Sequence, residues 1–193
     1  MQEPVEWELQ LTLTARKLKR VDIPQIVLQM VEQIEVSDEK LSSRLFLVLS
    51  ELVNNALDHG LLELDSALKD SREGIELYYE ERTARLAKLE SGEIWLRLCK
   101  LADSVQQCLR IDVCDSGSGF DHSEVLARMS GMENARHGRG IALVKHMGGI
   151  MNYRGNGSEV HVCLPICEEL CAYKGGRRES YLTLDCDTRD PGQ

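Results

Sequence analysis

Ser50-Glu51-Leu52-Val53-Asn54-Asn55-Ala56-Leu57-Asp58-His59-Gly60 closes the strongest helical pattern in the chain. The pattern opens near Asp38 and carries Leu41, Leu45, Val48, Leu49, Leu52, Val53 and Ala56 at helical spacing. Residues three and four apart are neighbours on a helix surface, so Glu51, Asn54, Asn55, Asp58 and His59 share the opposite side. A polar helix face is ordinarily just solvated. Two further signals downstream change its meaning.

Working outward, the chain of 193 residues is long enough for one domain with a full core and too short for two comfortable ones. Charged residues at 28% and hydrophobic residues at 42% suit a globular protein. A net charge of −9, from 23 basic and 32 acidic side chains, argues against a general nucleic-acid or anionic-membrane surface. No apolar run approaches the roughly 18 residues that cross a bilayer, and the start Met-Gln-Glu-Pro-Val-Glu lacks a secretory layout, so a cytoplasmic location is expected. Cys99, Cys108, Cys114, Cys163, Cys167, Cys171 and Cys186 contain no Cys-x-x-Cys pair and read as reduced structural thiols.

Trp7, Leu9, Leu11 and Leu13 alternate with polar residues, the period of a strand buried on one face. Asp22 caps a helix with Pro24 in its first turn and Ile23, Ile26, Val27, Met30, Val31 and Ile34 pointing inward. The long helix follows, capped by Ser37 or Asp38. Residues 61–92 turn strongly charged, yet Ile75, Tyr78, Tyr79, Arg82, Leu86 and Leu89 keep helical spacing, which predicts an inserted amphipathic helix with a short turn of helix around 65–69. Such a helix either merely packs against the body or serves partner docking or dimerisation.

Ile94, Leu96 and Leu98, then Leu109, Ile111 and Val113, alternate on either side of a turn near Asp103-Ser104 and predict a hairpin. A helix over 139–147 precedes a strand near 150–153, joined through Gly155-Asn156-Gly157 to a last strand with Val160, Val162 and Leu164. One-sided alternation leaves one sheet face covered and the other largely wet, so the helices gather on one face. The expectation is a two-layer α+β sandwich with a mixed, mostly antiparallel sheet over 1–166. Residues 167–193 form a polar tail, expected to be largely mobile, with at most a short strand over 181–184.

The second signal is Asp115-Ser116-Gly117-Ser118-Gly119 at a strand end. An aspartate there can accept a hydrogen bond from an amino group, and glycines admit a ring or phosphate closely. The third is Arg136-His137-Gly138-Arg139-Gly140-Ile141, where a helix start offers free amides and a favourable dipole to an anion. Neither dinucleotide nor phosphate-loop spacing is present.

In this order, Glu-x-x-x-Asn-Ala-x-x-His, Asp-x-Gly-x-Gly and Gly-x-Gly-Ile resemble the gyrase, Hsp90, histidine-kinase and mismatch-repair ATPase superfamily, with its left-handed Bergerat ATP-binding fold, over residues 7–165. Within it, Ser-Glu-x-x-x-Asn-Ala-x-x-His-Gly and the short segment 121–136 are most similar to anti-sigma-factor serine kinases of bacterial partner-switching systems. The resemblance implies that Asp115 accepts the adenine amino group, that Gly117 and Gly119 let base and lid close, and that Gly138 and Gly140 cradle phosphates with Arg139 beside them. It implies Asn55 as the magnesium ligand, Glu51 as general base toward a substrate serine, Arg136 at the terminal phosphate and Ser158 beside the adenine. His59 is read as a helix-end structural or phosphate-proximal residue, and Asn54 and Asp58 as bystanders.

The insertion over 61–92 resembles kinase modules at the C-terminal end of phosphatase-containing response regulators. No phosphoacceptor histidine occurs in 21–35, which disfavours histidine autokinase activity. The expected function is an ATP- and Mg2+-dependent serine/threonine kinase acting on an anti-sigma-factor antagonist, with a sigma factor as a further candidate partner and a homodimer as a candidate assembly. The alternative is a nucleotide-gated anti-sigma-type binding module without phosphotransfer, and a general gyrase-type ATPase comes third.

Overall fold

The computed structural model describes residues 5–35, 38–101, 108–119, 139–147 and 149–166, with 139–142 as backbone alone. The candidate cap Ser37, the turn at Asp103-Ser104, the segment 121–136 and the tail with its candidate strand lie outside them.

β1 (Val5–Thr14) leads through a short helix α1 (Ala15–Leu18) to α2 (Ile23–Ile34) and α3 (Glu39–Asn55). Asp22 and Asp38 cap α2 and α3, accepting hydrogen bonds from Gln25 N and Leu41 N at 3.2 and 2.7 Å. A π-helical turn (Ala56–Leu61) and a 3-10 turn (Ser66–Asp70) connect α3 to α4 (Arg72–Lys88). There follow β2 (Glu93–Leu101), β3 (Cys108–Asp115), α5 (Arg139–His146), β4 (Ile150–Arg154) and β5 (Glu159–Pro165).

The described strands form one sheet in the order β1-β2-β3-β5-β4, and each pairing in it is antiparallel. Register explains the core. Leu9 faces Leu98, Leu98 faces Ile111 and Ile111 faces Val162, so an apolar row crosses four strands. The rows of Leu96 with Val113 and Val160, and of Leu109 with Leu164, lie on the same face because side chains alternate with period two. Against that face pack Leu41, Leu45, Val48, Leu49, Leu52 and Val53 of α3, Val27 and Val31 of α2 and Val144 of α5, all in one hydrophobic cluster. Each full burial of such a side chain stabilises by about 1.5–3 kcal/mol. The fold is the expected α+β sandwich, consistent with the Bergerat ATPase architecture.

Three expectations need correction. In α2, Ile23, Val27 and Val31 are buried, but Ile26, Met30 and Ile34 are exposed. The six residues form two adjacent helical rows, and packing against α3 covers one. In α4, Tyr78 is buried while Ile75, Leu77 and Tyr79 are exposed, so the helix is far less one-sided than its spacing predicts.

The third correction concerns the sheet face opposite the core, which is not simply wet. Cys99, Cys108, Asp112 and His161 are buried there. His161 Nδ1 lies 2.6 Å from Asp112 Oδ1, Arg110 Nε donates to the same oxygen at 3.0 Å, and Arg97 Nε donates to Glu8 at 2.7 Å. His161 Nε2 lies 2.8 Å from Glu159 Oε1 but outside hydrogen-bond geometry. Burial works against the charge on Asp112, yet His161 and Arg110 hold its carboxyl below the usual carboxylate range. Polar side chains on facing strands have covered one another. Among the described residues, Cys99, Cys108, Cys114 and Cys163 are outside any disulfide.

Candidate functional site

α3 places Glu51 and Asn55 one turn apart, and Asn55 Nδ2 donates to Glu51 Oε1 at 3.1 Å. That contact fixes the rotamers of both side chains. It also engages the amide nitrogen and leaves Asn55 Oδ1 without a protein partner among the described residues. Immediately after Asn55 the α-helical ladder widens into the π turn, a form found mostly as single turns at functional sites.

β3 delivers Asp115 to the other wall. Pairing of Cys114 with Glu159 brings the end of β3 beside the start of β5, and Asp115 N donates to Ser158 O at 3.0 Å. The Asp115 carboxylate accepts the Gly117 N–H at 2.9 Å. Burial pushes the Asp115 carboxyl above its ordinary range, and the Gly117 hydrogen bond opposes that shift. A half-buried carboxylate with one N–H partner keeps acceptor capacity for an incoming donor.

Glycines set the approach of the two walls. A Cβ on Gly60 would sit 2.4 Å from the Asp115 carboxyl carbon, and one on Gly117 would sit 2.1 Å from Gly60 O. Neither Cβ fits unless its neighbours shift, so Gly60 touches the backbone at Gly117 and the carboxyl end of Asp115. Gly119 has φ +75°, and a Cβ there would meet Asn156 O at 2.3 Å. Asn156 ties the facing loops together: its Nδ2 donates to Ser118 O at 2.9 Å, and its Oδ1 accepts from Ser158 Oγ at 2.8 Å.

Between these walls lies a pocket. Asn55, Asp115, Gly119 and Ser158 line it together with Leu52, Val113, Tyr153 and Val160. Its lining is mostly apolar, with one half-buried carboxylate and a neutral amide oxygen, the composition expected of a small-molecule site. Tyr153 joins the lining from β4, its hydroxyl pushed up to about 12 by burial and by the nearby charge of Glu51. α5 packs against α3 and β4. Arg44 of α3 holds its end by donating through Nε and a terminal nitrogen to Met147 O at 3.1 and 2.6 Å.

A profile of the family described as Histidine kinase-, DNA gyrase B-, and HSP90-like ATPase matches residues 40–168, more than half of the chain. The chain belongs to that family. A search of curated proteins found no match. The matched span begins in α3 and ends just past β5, so this ATPase domain contains every described pocket residue.

Of the residues singled out in the sequence, Asn55, Asp115, Gly119 and Ser158 line one pocket of the ATPase domain, with Glu51 hydrogen-bonded to the first and Gly117 to the second. Arg139 and Gly140 begin α5, whereas Arg136 and Gly138 lie outside the described residues. His59 Nδ1 lies 2.9 Å from Leu64 O, a structural contact at the helix end. Asp58, read as a bystander on a solvated face, is not solvated: it is 6% exposed, and its carboxylate accepts from Tyr78 Oη at 2.8 Å and Arg82 Nε at 2.7 Å. Sequence reasoning also passed over Gly60, Tyr153 and Asn156. Gly60 stood within the quoted helix motif and Asn156 between two glycines, so both carried a local signal; Tyr153 read only as a strand residue.

Among the described residues no helix is long and apolar enough to cross a membrane.

Proposed function

We propose that the domain is an ATP- and Mg2+-dependent protein serine/threonine kinase acting in the cytoplasm on an anti-sigma-factor antagonist of a bacterial partner-switching pathway. The observation that carries this reading is the Glu51–Asn55 pair. It sets a carboxylate within 3.1 Å of an amide whose oxygen is left for a cation, on one rigid helix beside the pocket.

Asp115 accepts the adenine amino group, with the ring passing Gly117 and Gly119 and Ser158 beside it. Gly138, Arg139, Gly140 and Arg136 meet the phosphates. Magnesium fits the donor set, because Asn55 Oδ1 is a hard neutral oxygen; when bound it would neutralise phosphate charge. Glu51 takes the proton of the substrate serine hydroxyl as that oxygen bonds to the γ-phosphorus. The bond from the γ-phosphorus to the β–γ bridging oxygen breaks, and ADP leaves. Phosphoryl transfer depends chiefly on positioning, which a base and a cation ligand fixed one turn apart supply.

The test combines the protein with magnesium, γ-labelled ATP and candidate antagonist domains. Wild type is expected to label a serine, and Glu51→Gln to lower the rate by about 10²–10⁴-fold with little change in ATP affinity. Equal transfer by both proteins, or none to any antagonist, would refute the kinase reading. Nucleotide-dependent retention of an antagonist or sigma factor without transfer, unaffected by Glu51→Gln, would mark a binding module.

A further inference from the structure

We propose, resting on the nucleotide-binding reading of this pocket, that Asp58 is a positioning residue through which the inserted helix α4 is coupled to nucleotide occupancy. The π turn between Asn55 and the connection to α4 carries the pocket residues Ala56 and Gly60. A π turn departs from the preferred helical ladder and needs outside support. α4 supplies much of it. Tyr78 Oη and Arg82 Nε donate to the two carboxylate oxygens of Asp58 at 2.8 and 2.7 Å. A terminal nitrogen of Arg85 donates to Leu62 O and Glu63 O at 2.9 and 2.7 Å. The Asp58 carbonyl in turn accepts from Leu64 N at 2.8 Å, closing the turn on itself.

The opposite end of this short lever has no slack. Gly60 stands two residues after Asp58, and its backbone lies so close to the Asp115 carboxyl and to Gly117 that a Cβ at Gly117 would meet Gly60 O at 2.1 Å and one at Gly60 would have to displace the Asp115 carboxyl. A shift of Asp58 of a few tenths of an ångström must therefore move Gly60 against the Asp115 carboxylate or away from it. Tightly packed contacts transmit such displacements rather than absorb them. Coupling is reciprocal: whatever α4 does to nucleotide affinity, nucleotide must do to the stability of α4. The polar anchors of α4 thus have a purpose beyond tethering an insertion.

The experiment measures amide hydrogen exchange along α4 in the full chain, with and without Mg2+ and ATP, together with ATP affinity, for wild type, Asp58→Asn and Tyr78→Phe. Tyr78→Phe removes a single hydroxyl and serves where Asp58→Asn fails to fold. The expected result is slower exchange in α4 on ATP binding to wild type. The folded variants should lose that response and bind ATP about 5–20-fold more weakly, within the usual range of coupling between sites. A purely structural role would lower the melting temperature while leaving the ATP-induced protection of α4 in place, and that outcome overturns the proposal. So do ATP affinities within twofold of wild type in both variants, or α4 exchange indifferent to ATP in a wild type that binds it. A wild type that fails to bind ATP would instead remove the nucleotide reading itself, and the coupling with it.

Discussion

α3 and α4 are each seventeen residues long, yet they are held in the fold by different forces. α3 buries Leu41, Arg44, Leu45, Val48, Leu49, Leu52 and Val53, a continuous stripe against the sheet. Among the described residues of α4 only Tyr78 is buried, with Leu86 packed against the same hydrophobic cluster, and the rest of the fastening is by side-chain hydrogen bonds from Tyr78, Arg82 and Arg85, with Lys19 Nζ donating to Ala87 O at 2.8 Å near its end. Apolar burial is non-directional and sums over many atoms, so α3 is a rigid platform. A few directional bonds, each worth about 0.5–3 kcal/mol net, make α4 an attachment that can loosen without unfolding the domain. The proposed base and cation ligand sit on the first kind of helix, and the proposed coupling runs through the second.

Substitutions should separate the two. Leu49 is fully buried, so Leu49→Ala is expected to cost about 2–5 kcal/mol of global stability in denaturant unfolding. A cost under about 1 kcal/mol would mean that α3 is no platform. Ser71 caps α4 by accepting from Gly74 N at 3.0 Å, and Ser71→Ala should cost about 1 kcal/mol. That loss should appear as faster amide exchange confined to α4, whereas a matching fall in global stability would show that α4 unfolds with the core. Tyr79 is 61% exposed, and Tyr79→Ser should change stability by less than about 0.5 kcal/mol. A larger loss would reveal packing that the difference between the helices denies.

The sequence made α3 and the strands legible because periodicity of 3.6 or 2 reports directly which residues a sheet or helix can bury together. Periodicity does not say which of two adjacent rows meets the core, and so Ile26, Met30 and Ile34 were misplaced in α2. It is also silent on polar pairing between distant segments. Asp58 lies 20 and 24 residues from Tyr78 and Arg82, and Asp112 lies 49 from His161, so nothing local announced that these charges would be buried. The pocket was readable at Asn55, Asp115 and Gly119 because two of the motifs line it, while Glu51 borders it only through Asn55 and the Gly138–Gly140 motif lies partly outside the described residues. The contact of Gly60 with the Asp115 loop was not, since it depends on a π turn that no residue pattern in 56–61 specifies.

Everything proposed for the pocket turns on Asp115 as the acceptor of a nucleotide amino group, and calorimetric titration of ATP with magnesium tests that directly. Asn at this position can keep the Gly117 contact with its oxygen while turning an amide NH2 toward the ligand donor. Loss of a hydrogen bond to a charged group is worth about 1.5–3 kcal/mol, so Asp115→Asn should weaken binding by at least tenfold, while Asn55→Ala spares most of it. The pH dependence has a definite sign. The folded-state pKa of Asp115 is raised, so on acidification the native carboxyl takes up its proton before an unfolded one would. Between the two pKa values falling pH therefore favours the folded chain, yet ATP affinity should drop there, above the ordinary aspartate range near about 3.9. Tight binding by wild type at neutral pH, lost in Asp115→Asn, is the result expected; equal affinity in the two proteins would contradict the account.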